Sequence, residues 1–406
     1  MLFIYTNFVS KIAPWVTSLL LSISVSGTII LDIPMPETHS QGNVPIIYEV
    51  SHKIDFPHHI DLKLEATSEY KITDIVFYYS FNGQNTLIYG KPSFTPNKRV
   101  KIHHKIDTNN AKYLPPGLIV NWYCLITDSQ GNTIETKKQI FPYLNPDLKW
   151  KSLESENFNI YWHNINKTVI TSIVSQTNIL LNKSKKIFDF AAHPKINVAV
   201  INNDIESMPP ISNKASSTHL YSGFAFPEYQ TAVVNIPKTE LLTHELIHIY
   251  LDQKVGTYKP LVPAWLNEGL ANYYAADKKI AIDNYTNGNW FKLQNMHNVP
   301  GKPNDVHKFY SQSEKVVAYL IESYGEEKMN RLLGELSTGQ KIDKAMLKSY
   351  GFGVEQLNYL WETNSKYSPQ KPMYLKYIFT ISIFIFMVIS ATILFHKRKS
   401  NSNSTG

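Results

Sequence analysis

The 406-residue chain contains a single cysteine, Cys124, so no intrachain disulfide can brace it and no set of thiolates can hold a metal. Cys124 sits inside the apolar stretch "NWYCLIT", where a lone thiol reads as a small buried hydrophobe. No cysteine stands near the start, so the sequence offers no lipidation site there. Charge is sparse as well. Charged residues make up 18% of the chain, and the net charge of +7 is spread over single lysines. No Arg/Lys block in the folded part could track a phosphate backbone, so no nucleic-acid partner is expected. Internal repeats are absent too.

Hydrophobic residues, by contrast, reach 43%, with 25 tyrosines and 19 phenylalanines, enough for packed cores and strand-rich structure. Two apolar runs are terminal. "YIFTISIFIFMVISATILF" (Tyr377–Phe395) carries no charge and is long enough to cross about 30 Å of hydrocarbon. The basic "HKRK" that follows favours the cytoplasmic side, making 377–395 a transmembrane helix and 396–406 a cytoplasmic tail. Near the start, Lys11 precedes "IAPWVTSLLLSISVSG", which reads as a signal peptide or signal anchor over 1–29. The expected location is therefore the cell membrane, single-pass, with the folded part outside the cytoplasm.

Between these ends the patterning changes once. Over 45–145, period-2 stretches such as "HIDLKLEA" (His59–Ala66), "DIVFYYSF" (Asp74–Phe81), "RVKIHHKI" (Arg99–Ile106) and "LIVNWYCLITD" (Leu118–Asp128) predict an immunoglobulin-like β-sandwich. The pairs His58–His59 and His103–His104 there point to opposite faces and cannot easily share an ion. Over 147–366, strands at 157–163, 195–201 and 231–237 precede helical spacing from Pro263 onward. Strands first and helices after predict an α+β domain.

At the changeover stands "LLTHELIHIY" (Leu241–Tyr250). On a helix, His244 and His248 share one face and can point both imidazoles at one ion. Glu245, about 100° round, can reach a water on that ion. Zinc suits two neutral imidazoles plus a carboxylate, with a fourth position open. The carboxylate is supplied by "PAWLNEGLANYYA" (Pro263–Ala275), a second helix carrying Glu268, nineteen residues beyond His248. The helix with the two histidines reads as amphipathic, and the strand before it as an edge along which an extended peptide could pair.

"HELIH" followed by "WLNEGLA" resembles the gluzincin metallopeptidases, in layout the membrane-anchored peptidase MA-like family, over roughly residues 147–365. The resemblance implies one Zn2+ held by His244, His248 and Glu268, with Glu245 as general base in the hydrolysis of a peptide or protein substrate. It also implies a donor to the developing oxyanion; Tyr310, opening a downstream helix, is the first choice, ahead of Tyr221 and His219. Asn272, one turn beyond Glu268, is the expected acceptor behind a ligating imidazole. No "GAMEN"-like segment is present to grip a free amine, which favours an endopeptidase. The alternative is a catalytically inactive peptidase-like ectodomain that serves binding or adhesion.

Overall fold

The computed structural model describes residues 45–84, 86–108, 113–190, 193–201, 223–276 and 290–365. The signal over 1–29, Tyr221, His219, the run Tyr377–Phe395 and the basic tail lie outside them. No described helix is long and apolar enough to cross a membrane.

The N-terminal part is one connected antiparallel sheet of seven strands: β1 (Ile46–Asp55), β2 (His59–Phe81), β3 (Ile88–Gly90), β4 (Asn97–Asp107), β5 (Ile119–Asp128), β6 (Thr133–Glu135) and β7 (Gln139–Pro142). The expected strands are there, but hydrogen bonding joins them into one sheet instead of two separate ones, because β2 serves both halves. Its first half pairs with β1 and β4, its second with β3 and β5. Ile60, Leu62, Leu64 and Ala66 are buried, then Ile75, Phe77 and Phe81, so the buried positions change parity along the strand. A register shift between Ile72 and Asp74 supplies the extra residue that keeps both sets on the core side. Cys124 is fully buried in this core.

The second part opens with a five-stranded sheet in the order β11-β12-β10-β9-β8. Its strands are β8 (Lys151–Glu154), β9 (Phe158–Trp162), β10 (Ile196–Val200), β11 (Gly223–Phe226) and β12 (Thr231–Val234). β9, β10 and β12 run parallel, and the two edges are antiparallel. Every residue of β10 and β12 is buried, as expected of parallel strands covered on both faces, and all but Asn197 and Thr231 are apolar. Helix α1 (Lys167–Lys183), whose Asn166 cap accepts from Thr168 N at 2.9 Å, carries the chain from β9 towards β10.

Six helices follow: α2 (Thr239–Val255), α3 (Ala264–Ala275), α4 (Pro303–Tyr324), α5 (Glu326–Ser337), α6 (Ile342–Tyr350) and α7 (Val354–Ser365). Two expectations are corrected here. β12, the strand before α2, is interior; among the described residues the edge on that side is β11, a four-residue strand with no long alternating pattern to announce it. And α2 is not amphipathic. Leu242, Leu246, Ile247, Ile249, Tyr250 and Leu251 bury it on most sides, as befits a helix packed between the sheet and other helices. All described elements, from Ile46 to Ser365, belong to one unit built on two hydrophobic cores.

Candidate metal centre

α2 and α3 bring the two motif segments together. The start of α3 is held by backbone: the N–H groups of Ala264 and Trp265 donate to His297 O and Met296 O, each at 3.1 Å. These bonds satisfy donors that a helix N-terminus otherwise leaves open, since Pro263 offers no side-chain cap. On its other side α3 meets α4 closely at Gly269. A Cβ there would lie 2.4 Å from Ser313 O and 2.6 Å from Val317 Cγ2, so no larger residue fits without moving a helix. The glycine of "WLNEGLA" thereby sets how deep Glu268 sits.

Three ligand atoms converge. His244 Nε2 and His248 Nε2 are 3.0 Å apart, and each is 3.4 Å from Glu268 Oε2. They form the one cluster of His, Cys, Asp or Glu ligand atoms among the described residues compact enough for an ion. Two ligands about 2.1 Å from one ion at a tetrahedral angle stand about 3.4 Å apart, close to these separations. Glu268 Oε2 is buried and has no hydrogen-bond partner, a costly state for a carboxylate oxygen unless a cation meets it. The donor set fits zinc.

Electrostatics divides the two buried glutamates. Burial alone would push Glu268 up, but the neighbouring imidazoles of His248 and His244 outweigh it and hold the carboxyl well below the usual range. Glu245, deeply buried, is pushed up to about 7; burial is the main cause, His244 opposes it and Glu268 adds to it. Its carboxylate lies against β11, where a Cβ on Gly223 would come within 2.8 Å of Oε1.

Behind His248 stands Asn267, whose Oδ1 lies 3.1 Å from Nδ1. Asn267 Nδ2 donates to Glu268 Oε1 at 3.3 Å, which orients the amide so that Oδ1 accepts from an Nδ1–H. That tautomer leaves the His248 Nε2 lone pair free for a metal. The residue expected in this role, Asn272, is half-buried one turn further along, and no side-chain hydrogen bond joins it to either imidazole among the described residues. Asn267 was legible as part of the motif itself, the residue directly before Glu268. Tyr310, on the first half of α4, is brought beside the site: its ring lies 6.4 Å from that of His244. Glu314, one turn on, is pushed up to about 6 by burial, with Lys315 and His244 pulling the other way.

Crystal structures of OgpA from Akkermansia muciniphila overlap 25% of this chain and 28% of OgpA, at 14% identity and a TM-score of 0.21. Catalytically inactive OgpA in complex with an O-glycopeptide (glycodrosocin) substrate overlaps 28% and 32%, at 12% identity and a TM-score of 0.20. The overlap therefore takes in less than a third of OgpA. No match to a curated protein is found. Residues 216–366 match the Peptidase MA superfamily, and β11, both motif segments and Tyr310 all fall within that peptidase-like stretch.

Proposed function

We propose that the chain is a membrane-anchored, extracytoplasmic zinc metallopeptidase, an endopeptidase acting on peptides or proteins. The observation that carries this reading is the convergence of His244 Nε2, His248 Nε2 and an otherwise unpartnered Glu268 Oε2. When bound, zinc would polarise the scissile carbonyl and make water a nucleophile near neutral pH.

The chain's own residues do the rest. Glu245, buried beside the ligands, takes the proton from the attacking water as its carboxylate and, as the acid so formed, returns it to the leaving amine. Tyr310 donates to the oxygen on which charge develops. Asn267 fixes the ring of His248 and steadies Glu268. β11, the outermost described strand of its sheet and the one against which Glu245 lies, would guide an extended peptide past the ligands. The rival reading, an inactive binding module, asks for a broken ligand or base set, whereas His244, Glu245, His248 and Glu268 are all present.

The test is hydrolysis of a peptide library by the intact chain and by Glu245→Gln. The variant should keep its zinc and lose turnover by about 10²-fold or more. Turnover at the parent's rate in Glu245→Gln would contradict the assignment. For the anchor, the chain should stay with membranes under alkaline extraction, with the 45–365 part open to added protease from the non-cytoplasmic side. Release into the soluble fraction would remove the anchor from the account.

A further inference from the structure

The outermost described strand beside the site, β11, is moored in the other core. Tyr229 lies in the turn that leads from β11 to β12, yet it is 2% exposed and belongs to the N-terminal core. Its ring meets Phe81 edge-on at 6.1 Å, and the Gln84 side chain hydrogen-bonds its hydroxyl. Phe226, the last residue of β11, packs on the same core, its ring 5.4 Å from that of Tyr113. Gly83, at φ +79°, lets the turn after β2 close on this hairpin; a Cβ there would lie 2.8 Å from Gln230 Cγ. Gln230 is held in the left-handed region at φ 50°, and its Oε1 accepts from Gln253 Nε2 of α2. The turn is thus gripped by the N-terminal sheet on one side and by α2, the helix of His244 and His248, on the other.

The opposite end of β11 is Gly223, which lies against Glu245. Three residue steps, about 10 Å of strand, separate that contact from the aromatic mooring. Among the described residues the ladder of β11 is the four-residue pairing with β12, and short strands of this kind draw much of their stability from side-chain packing.

We infer that the N-terminal sheet is a positioning element of the site: through Tyr229 and Phe226 it fixes β11, and with it the wall along which an extended peptide lies. The kinetic consequence rests on the peptidase reading; the mechanical one does not.

The test uses the intact chain, with Tyr229→Ala, Tyr229→Phe and Phe226→Ala, reading zinc content, amide exchange over 223–226, and KM and kcat on a peptide that the parent cleaves. Both alanine variants should keep the parent's zinc while β11 exchanges about tenfold faster or more and β9 and β10 stay unchanged. KM should rise about fivefold or more with kcat nearly constant. Tyr229→Phe keeps the ring and should behave as the parent. If Tyr229→Ala does not fold, the half-buried Phe226 decides the matter. Unchanged exchange over 223–226 in a folded alanine variant would overturn the inference. A parent that cleaves no peptide, but whose β11 loosens in the variants, would remove the peptidase reading and leave the mooring intact.

Discussion

Glu245 and Glu268 are carboxylates of one buried site whose surroundings pull their acidities apart, one upward by burial and one downward by two imidazoles. In the metal-free chain this has a pH signature. Glu245 is raised from 4.5 to about 7, so its contribution to stability is full below the unfolded value and is lost as pH rises through about 7. Glu268 has the opposite sign, its contribution lost only as pH falls below the ordinary carboxylate range. Metal-free parent should therefore lose melting temperature between about pH 5 and 8 relative to Glu245→Gln, which cannot titrate there. Parallel profiles would contradict the buried-acid assignment. The convergence itself is legible at this scale, because helical spacing alone puts His244 and His248 on one face and "WLNEGLA" carries the carboxylate that meets them. The partner of His248 was not legible from spacing along α3. Counting one turn from Glu268 leads to Asn272, whereas the approach of α3 to α2 selects Asn267.

Between elements, packing distance decides what spacing cannot. Gly269 leaves α3 and α4 in backbone contact, and both helices carry residues of the site, Glu268 and Tyr310. Gly269→Ala should cost about 1–3 kcal/mol, since the nearest obstacle is a carbonyl oxygen and not a side chain that can turn away. Thermal unfolding measures it, and an unchanged or raised melting temperature would show that the helices part freely. The long β2 was read as two strands because its middle, "TSEYKIT" (Thr67–Thr73), is polar and hides the continuity. β11 escaped notice for want of length, and β12 was taken for an edge because pairing order is set by contacts far apart in sequence.

The described residues form two cores, and Tyr229, from the hairpin of the second part, is buried in the first. Because the described residues from Pro45 on form one unit, calorimetry of the folded part should give a single transition whose calorimetric and van't Hoff enthalpies agree. Two separated transitions would mean that the cores melt independently. The composition anticipated such cores, and the order of strands before helices anticipated the α+β character. That one core would be plugged by the other's hairpin is a long-range fact with no local trace. The central claim remains the metal centre, and the most direct test is zinc per chain by elemental analysis, on the parent and on Glu268→Ala. The account predicts about one zinc in the parent and a marked loss in the variant. A well-folded parent that takes up no zinc when it is supplied would contradict it.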